Sequence, residues 1–375
     1  MRVLRIDERS PFRRLIGVGG IGSGIFFSLE GDHTLGRNES RPAQLLDVRD
    51  YCKLHIVIHY VARLLGARSP GRPFHVLPVG IVGDDAPGHQ MLKEMSDTGM
   101  DTAHVRTNPS LPTLFSVCFQ YPDGAGGNMT TNHSAAASLA KGDLDDIGEL
   151  LKSDGTRTIA LAVPEVSIEV RHHFLKLATN AGCFRAASFV PAEIAPAKSA
   201  GMFHLLDLVS LNEEEAGELV GGSYSPDAPE ALIQRAQQFV QATCPHLKMI
   251  VSVGAAGAYG VTAEHWHHCP APKVDVASTA GAGDSLLGGT IAAVAAGIPF
   301  VPQTAGVSAT NAVIASALEF GVLLASYKCQ SPHTIHPGAQ LDSLSDFIQA
   351  KGYRFSPQIE QFIAEHERVS PTFRT

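Results

Sequence analysis

Short apolar segments that alternate with helical segments are the feature that most limits the folds open to this chain. Beyond residue 150 they span residues 158–163, 183–189, 206–210 and 249–253, and helical stretches separate them. Strands separated by helices pair in parallel through βαβ crossovers, because the helix carries the chain back to the start of the next strand. The pattern therefore predicts a layered α/β domain around a mostly parallel sheet.

The first third of the chain adds one departure from this alternation. Residues 15–29 begin as an apolar strand with a glycine cluster, residues 54–65 have helical spacing, and residues 74–82 read as a strand followed by a helix near residues 87–95. Residues 114–121 are rich in β formers, turn through a Pro-Asp-Gly segment at 122–127 and continue at 128–131. This turn chemistry predicts a β-hairpin that leaves the main sheet.

Composition narrows the class of protein. The chain has 375 residues, of which 44% are hydrophobic and 18% charged, and its net charge is −8, which suits a globular enzyme and disfavours a nucleic-acid partner. Its six cysteines are scattered without a Cys-x-x-Cys pair, which favours reduced thiols over a disulfide framework or a zinc site. The apolar run 286–298 is short and stopped by Pro299, and residues 1–14 lack an apolar signal core. We expect a soluble, cytoplasmic protein with no membrane partner.

A glycine-rich turn that opens onto a helix is the strongest candidate for a functional site. The turn reads Ser-Thr-Ala-Gly-Ala-Gly-Asp at 278–284, and the helix-like run 285–298 follows. Unpaired N–H groups and the helix dipole favour an anion there, so an acid in the same turn points to chemistry beside that anion. A tight turn with an N-terminal cap would use the same residue types. Spacing alone leaves the two interpretations equal.

Three segments together resemble one enzyme family. Gly281-Ala282-Gly283-Asp284 looks like the C-terminal signature of the PfkB (ribokinase-like) carbohydrate and nucleoside kinases, which usually reads Asp-Thr-x-Gly-Ala-Gly-Asp. Upstream, Asn212 to Glu215 resembles the family's Asn-x-x-Glu element, and the strand at 251–254 with Gly257 resembles the segment before its nucleotide site. The three occur in the family's order, and the resemblance in layout covers residues 15–325.

The resemblance implies a fold and a domain plan. It implies a ribokinase-like three-layer αβα sandwich with a mostly parallel central sheet, in a kinase domain at 1–330. A small β lid from segments near 25–50 and 113–132 would cover the sugar and often forms a homodimer contact. Residues 331–375 fall outside the resemblance and read as a helical C-terminal extension packed on the main domain.

The resemblance also implies the chemistry: ATP-dependent transfer of a phosphoryl group to a hydroxyl of a sugar or sugar-like molecule. Asp284 would be the general base, and the amides of Gly281, Ala282 and Gly283 would form the anion hole. Asn212 and Glu215 would hold Mg²⁺ through water, although an Asn cap followed by acids is also an ordinary helix start. The nucleotide side would be built by Ser252, Gly254, Gly257, Thr279 and Asn311, the last of these in a helix-like run at 305–318 where it could equally face solvent.

The segment at 47–55 departs from the family. Most relatives carry Gly-Gly-x-x-x-Asn there, whereas this chain has Asp-Val-Arg-Asp-Tyr-Cys-Lys-Leu-His. The family's substrate Asp on the first strand is missing too, since Gly24 falls near its place, and Ser278 replaces the first Asp of the signature, which weakens a monovalent-cation site. The charged segment could bind a sugar phosphate or sugar acid, or be a plain charged start of a helix. The candidate substrate residues are Asn38, Arg49, Asp50, Lys53, Asn128 and Asn132.

Other readings remain open at this stage. Gly17 to Gly22 satisfies Gly-x-Gly-x-x-Gly after an apolar strand and could belong to an NAD-dependent dehydrogenase, although closely packed glycines at a strand end fit better. His265, His267, His268 and Cys269 could suggest a metal site, but their spacing favours an exposed polar strand. A nucleoside kinase and a catalytically inactive ligand-sensing relative are the further alternatives.

Overall fold

In the computed structural model the described residues are 2–31, 33–67, 74–122, 126–302 and 313–365. Their strands, in chain order, are β1 (Arg2–Leu4), β2 (Arg14–Val18), β3 (Gly22–Leu29), β4 (Ala43–Tyr51), β5 (His75–Gly83), β6 (Val105–Asn108), β7 (Leu114–Gln120), β8 (Gly126–Thr130), β9 (Thr158–Ala162), β10 (Phe184–Ser188), β11 (Leu208–Asn212), β12 (Lys248–Ser252), β13 (Ala258–Val261), β14 (Trp266–Cys269), β15 (Val313–Ile314), β16 (Arg354–Phe355) and β17 (Ile363–Glu365).

The helices in the same ranges include short 3-10 turns, which are left unnumbered. The α-helices are α1 (Lys53–Leu65), α2 (Ala86–Thr98), α3 (Asp145–Ser153), α4 (Ile168–Asn180), α5 (Pro191–Ser199), α6 (Glu213–Val220), α7 (Glu230–Thr243), α8 (Ala282–Ala296), α9 (Ala317–Lys328), α10 (Leu341–Ala350) and α11 (Pro357–Glu360). In the part of the chain that the structure describes, no helix is long and apolar enough to cross a membrane.

The main sheet is mostly parallel, as the alternation of strands and helices predicts. Within the described ranges its nine strands run in the order β14-β13-β12-β11-β10-β9-β2-β5-β6. Every pair from β12 to β6 is parallel, and β13 and β14 add an antiparallel edge. Parallel strands joined through helices bring their carboxyl ends to one edge of the sheet, which is where ligands bind in such folds.

Helices cover both faces of this sheet. Side chains alternate along each strand, so Leu15 of β2 packs into the core beneath α1, α8 and α9, whereas Ile16 packs into the core beneath α3 to α7. The predicted three-layer αβα architecture is confirmed.

Helix α8 is wedged between α1 and α9. A Cβ on Gly288 would come 2.7 Å from the carbonyl oxygen of Val57, and one on Gly289 would come 3.1 Å from Cα of Gly321. Helices can approach this closely only where side chains are absent. The start of α8 is thereby fixed against the start of α1.

A small second sheet has the order β4-β3-β7-β8. Strand β3 pairs antiparallel with β4 and parallel with β7, and β7 pairs antiparallel with β8, so the hairpin expected from the Pro-Asp-Gly turn is present. The outer strands β4 and β8 are largely exposed. This sheet stands at the carboxyl edge of the main sheet because β3 follows β2 after only three residues.

The glycine cluster at 17–22 is not a dinucleotide fingerprint. That motif needs a helix directly after the glycines, and here strand β3 begins at Gly22. The glycines instead permit close packing: a Cβ on Gly19 would come 2.5 Å from Val163 Cγ2, and one on Gly20 would come 2.3 Å from Glu165 Cβ. The dehydrogenase hypothesis therefore loses its structural basis.

Two further expectations need correction. The helix-like run at 305–318 is strand β15 at Val313–Ile314, and α9 begins only at Ala317, where the Ser316 hydroxyl caps Glu319 N–H. Residues 305–312, and with them Asn311, lie outside the described residues. The histidine-rich strand β14 is half-buried and not exposed: His267 lies 3.4 Å from Glu319, and His268 stacks on Tyr259.

The C-terminal segment packs on the main domain. Helix α10 follows α9 in the chain, β16 pairs with β15, and β17 pairs antiparallel with β1. Arg2 and Asp342 form an ion pair at 2.6 Å. The extension is mixed helix and strand, whereas the sequence suggested helix alone.

Candidate active site

The turn before α8 presents free backbone donors beside a buried carboxylate. Gly281 adopts φ +77° at the N-cap, and Asp284 in the first turn is only 8% exposed. Ala282 N–H already donates to Thr279 O at 3.0 Å, whereas the N–H groups of Gly281, Gly283 and Asp284 have no acceptor among the described residues. Ala282 N–H, which the sequence analysis expected to bind an anion, is therefore already used, and the free donors of the turn among the described residues are Gly281, Gly283 and Asp284.

Lys53 supplies the positive charge that the sequence left unassigned beside this turn. Its Nζ lies 3.5 Å from Asp284 Oδ1. The Asp284 carboxylate raises the pKa of Lys53 to about 12, against the opposing effect of burial. Lys53 is the first residue of α1, so the tight packing of α1 on α8 brings this ammonium to the anion-binding turn.

Glu165 is a site residue that the sequence analysis missed. It follows β9 at the carboxyl edge of the sheet and adopts φ +76°. Its Oε2 accepts a hydrogen bond from the backbone N–H of Lys53 at 3.2 Å. Burial raises the pKa of Glu165 to about 8, although the nearby Lys53 opposes this. Backbone strain at a non-glycine residue is often stored at functional sites. The available signal was an acid directly after a fully buried strand.

Asn212 and Glu215 form a reciprocal helix cap at the start of α6. Asn212 Oδ1 accepts Glu215 N–H at 2.8 Å, and Glu215 Oε2 accepts Asn212 N–H at 2.9 Å. Burial raises the pKa of Glu215 to about 7, and the charge of Asp284 contributes to the rise. The cap leaves Glu215 Oε1 unused.

These two residues fit Mg²⁺ held through water. No cluster of three or more His, Cys, Asp or Glu side chains in the described ranges could chelate a metal directly. Mg²⁺ keeps several waters and is usually held by one or two carboxylates with substrate phosphates, which Glu215 and Asn212 could serve. The same finding leaves the histidines of β14 without a metal site.

A cavity of about 370 Å³ opens in front of Asp284, between the main sheet and the small sheet. Asp50 lies in its wall with only 6% exposure, and its Oδ2 accepts hydrogen bonds from the Ser116 hydroxyl and from Cys118 Sγ, the latter at 3.1 Å. Gly24 is opposite Asp50 in the β3–β4 register, and a Cβ there would come 2.9 Å from that carboxylate. The carboxylate of Asp50, on β4, therefore lies next to Gly24 of β3, the position at which the family usually has its substrate Asp.

The candidate substrate residues separate into three groups. Asp50, Lys53 and Asn128 line this cavity, together with Glu165. Asn38 and Asn132 are exposed and do not line it. Arg49 faces a different cavity, where it pairs with Glu94. The charged segment at 47–55 is therefore neither wholly a substrate site nor a plain helix start.

A second cavity, of about 480 Å³, lies on the other side of the turn. Ser252, Gly254, Gly257 and Gly283 line it, and so do apolar side chains that include Val274, Leu286 and Val322. Gly257 adopts φ +99° with its Cα packed against the Cys269 carbonyl, where a Cβ would come within 2.1 Å. An apolar slot that ends at free amides suits a planar base joined to phosphates.

The two cavities meet at the glycine turn. Thr279 lines both, and Gly281 and Asp284 line the first while Ala282 and Gly283 line the second. A group transferred from one cavity to the other would pass over the free N–H groups, within reach of Asp284 and Lys53.

Comparison with known proteins gives a consistent picture. Residues 57–340 match the model of the pfkB family carbohydrate kinases. The fold is similar to ribokinase from Giardia lamblia (TM-score 0.72, 15% identity, 91% of this chain and 99% of that chain). It is also similar to ribokinase from Cryptococcus neoformans var. grubii serotype A in complex with ADP (TM-score 0.70, 18% identity, 89% and 99%).

The chain is also similar to a further ribokinase in fold and, over a short segment, to a bacterial kinase in sequence. Ribokinase from Arabidopsis thaliana complexed with ribose and ATP has a TM-score of 0.65 at 19% identity, with 90% of this chain and 99% of that chain covered. A segment of 42 residues is 55% identical to aminoimidazole riboside kinase of Salmonella typhimurium (strain LT2). That segment spans only 11% of this chain and 13% of the relative.

Proposed function

The chain belongs to the pfkB family of carbohydrate kinases, enzymes that transfer a phosphoryl group to a hydroxyl, and we propose that it moves the γ-phosphoryl group of ATP onto an uncharged sugar-like molecule. The observation that carries this proposal is the position of Asp284 between two cavities, beside three free amides and the Lys53 ammonium. The ligands named for two of the similar ribokinases, ADP and ribose with ATP, support the same assignment.

In the proposed reaction the acceptor lies in the cavity beside Asp50, and ATP lies in the apolar cavity with its phosphates at the glycine turn. Asp284 accepts the proton of the attacking hydroxyl. The N–H groups of Gly281, Gly283 and Asp284 hold the charge on the transferring group, and Lys53 adds an ammonium. Asn212 and Glu215 would hold Mg²⁺ through water, and the ion would supply positive charge beside the phosphates.

The charges of the acceptor cavity favour an uncharged substrate. Asp50, Glu165 and Asp284 line it, against the single ammonium of Lys53, which Asp284 already engages. Even with Glu165 protonated near neutral pH, as its raised pKa favours, the lining carboxylates outnumber the lining ammonium. The buried Lys328, whose Nζ donates to the Ser278 carbonyl at 3.0 Å, lies behind the turn and does not line the cavity. A sugar acid or sugar phosphate would be repelled. Asp50 keeps acceptor capacity beyond its two protein donors and can bind sugar hydroxyls.

A nucleoside is the second candidate acceptor. Phe26 and Phe119 line the acceptor cavity and offer aromatic faces on which a base could stack. The segment shared with aminoimidazole riboside kinase favours the same class. All catalytic groups would keep their roles, since only the pocket differs.

The test is a panel assay with the purified full chain. ATP-dependent phosphorylation is measured with Mg²⁺ on neutral sugars, nucleosides, sugar acids and sugar phosphates, with ADP release as the readout and product mass as confirmation. We expect turnover with a neutral sugar or a nucleoside and none with the acids and phosphates. Turnover of any compound excludes an inactive sensing relative, whereas ATP binding without turnover across the panel supports one.

We also propose a homodimer formed through the small sheet, as the family resemblance implies. Its edge strands β4 and β8 carry the exposed apolar side chains Leu45 and Met129, 58% and 60% exposed. An exposed strand edge with apolar side chains favours pairing with another chain. Light scattering coupled to gel filtration should give a dimer mass for the native chain and a monomer mass for the double variant Leu45→Lys, Met129→Lys. A monomeric native chain rules the dimer out.

A further inference from the structure

A further cavity, of about 430 Å³, lies behind the acceptor cavity. Strand β4 separates the two: Asp47, Arg49 and Tyr51 line the further cavity, while the Asp50 carboxylate lines the acceptor cavity. This follows from the two-residue period of a strand, with Tyr51 at the rim of both. Asp47 and Arg49 do not line the acceptor cavity, so these two residues of the segment at 47–55 have no role in the proposed reaction.

Residues 333–335 also separate the two cavities, because their side chains alternate between them as those of β4 do. His333 and Ile335 line the further cavity, whereas Thr334 between them lines the acceptor cavity. The Thr334 hydroxyl donates to the Arg49 carbonyl at 3.3 Å, which ties this segment to β4. The two cavities therefore share one thin wall made of two hydrogen-bonded segments.

An unpaired ring nitrogen of His55 in α1 is the observation that points to a polar ligand in the further cavity. It is 1% exposed and lines the cavity, and its Nδ1 has no hydrogen-bond partner among the described residues. Leaving a buried polar atom unpaired costs about 1–3 kcal/mol. Burial lowers the pKa of His55 to about 4, so the ring is neutral near pH 7 and can accept a hydrogen bond.

The charges around the cavity select the sign of that ligand. Asp47, Glu94 and Asp97 line it, and Arg49 is the cation among the lining residues that the structure describes. Arg49 is engaged by Glu94, and Asp97 by Lys93 at 2.5 Å, but Asp47 has no ion-pair partner in those ranges. A metal ion is disfavoured, because the described residues contain no cluster of three ligating side chains.

We propose that this cavity binds a small organic ammonium ion, whose N–H groups donate to His55 Nδ1 and to the Asp47 carboxylate. The volume suits a molecule of amino-acid to nucleobase size. The rings of Tyr51 and His59, which also line the cavity, provide aromatic faces for the cation. A ligand held against Asp47 and Tyr51 also contacts the strand that carries Asp50, so its binding should change the affinity for the acceptor.

The binding test uses the full chain and three probes of similar length: putrescine as the diammonium, 1,4-butanediol as the neutral molecule and succinate as the dianion. Calorimetric titration should show binding of putrescine, and little or none of the other two. His55→Leu should weaken putrescine about tenfold or more, through the lost hydrogen bond. Asp47→Asn should weaken it about two- to fivefold, as an exposed charge pair allows.

Asp227→Asn is the matched control, because Asp227 is an exposed acid outside all the cavities described here. It should bind putrescine as the native chain does, and the melting temperature of each variant verifies its fold. Equal binding of all three probes overturns the proposal. So does putrescine binding that is unchanged in Asp47→Asn and in His55→Leu.

The coupling to the acceptor rests on the proposed function and is measured separately. With an acceptor identified by the panel, saturating putrescine should shift its KM at least twofold in the native chain. In His55→Leu the same shift should require about tenfold more putrescine, in line with the weaker binding. An unchanged KM in the native chain rejects the coupling, while the calorimetric result decides the binding site independently.

Discussion

The Nζ atom of Lys53 lies 3.5 Å from Oδ1 of Asp284, an ion pair that joins the first residue of α1 to the first turn of α8. Both helix N-termini carry partial positive charge, so the carboxylate sits in a positive environment even without ligands. When ATP binds, its phosphates offer more negative charge than one carboxylate does. We expect Lys53 to turn towards the transferring group, which frees Asp284 to accept the proton.

Asp284→Asn tests the base. The amide has the same shape but cannot accept the hydroxyl proton, so kcat should fall by about 10²–10⁴. ATP binding, measured calorimetrically, should be retained, because the N–H groups of the turn are unchanged. Turnover within a few-fold of the native enzyme would contradict the assignment.

Lys53→Met tests the ammonium. Loss of the charge beside the transferring phosphoryl group should lower kcat by about 10²-fold, comparable to the loss of one donor of an anion hole. Lys93→Met is the matched control, since that exposed lysine of α2 pairs only with Asp97 and should leave turnover unchanged. Steady-state kinetics on both variants decides; equal effects of the two changes would mean that Lys53 has no specific role.

Substituting alanine for each of the two glycines of the turn should affect different properties, stability at Gly281 and ATP binding at Gly283. Gly281→Ala should lower the melting temperature, because Gly281 has φ +77° and a Cβ would come 2.6 Å from the Thr334 carbonyl. Gly283→Ala should leave the melting temperature nearly unchanged, since its Cβ meets no protein atom, yet raise the KM for ATP about tenfold or more, because the methyl enters the nucleotide cavity. Thermal unfolding and ATP kinetics on both variants separate the two effects. A Gly283→Ala enzyme with native ATP affinity would place the phosphates elsewhere.

Asp50→Asn should act on the acceptor alone. Hydrogen bonds to charged groups contribute about 1.5–3 kcal/mol, so the KM for the acceptor should rise by about 10–100-fold while the KM for ATP stays the same. Cys118→Ser preserves a donor to Asp50 and should resemble the native enzyme. Asp47→Asn, an acid on the same strand that faces the other cavity, is the matched control for charge. An equal rise of the KM for the acceptor and the KM for ATP in Asp50→Asn would contradict a role of Asp50 in binding the acceptor alone.

Glu165 should make stability depend on pH. Its pKa is raised to about 8 in the folded protein, whereas an unperturbed glutamate has a pKa of 4.5, so between these pH values the folded state binds more protons than the unfolded state. Stability therefore falls as pH rises through this window, and Glu215, with its pKa raised to about 7, acts in the same direction. Glu165→Gln cannot ionise, and its melting temperature should fall less between pH 5 and pH 8, by on the order of a few °C. Identical pH profiles for variant and native chain would disprove the link.

Short sequence patterns predicted the parallel sheet and part of the candidate active site. The parallel sheet follows from the alternation of strands and helices, and the turn at Gly281 and Asp284 follows from glycine spacing before an apolar helix. Asn212 and Glu215 were found through their resemblance to the family's Asn-x-x-Glu element, and the same four residues form a reciprocal helix cap. Each of these signals is contained in a short stretch of sequence.

What the sequence did not predict depends on contacts between distant segments. Lys53 and Asp284 are neighbours only because α1 packs on α8, and Glu165 is a site residue only because β9 ends beside them. Arg49 and Asp50 are adjacent in sequence but face different cavities, which requires knowing which face of β4 is covered. The bond from Ala282 N–H to Thr279 O likewise depends on the exact form of the turn.

Thr279 is the only residue that the acceptor and nucleotide cavities share among those described as lining them. In the proposed reaction each substrate would otherwise contact a separate set of side chains, drawn from different parts of the chain. The choice of acceptor can therefore change by mutation without loss of the phosphate donor, and the reverse holds as well. Such independence makes this architecture a practical starting point for engineering new acceptor specificity while the transfer chemistry is left intact.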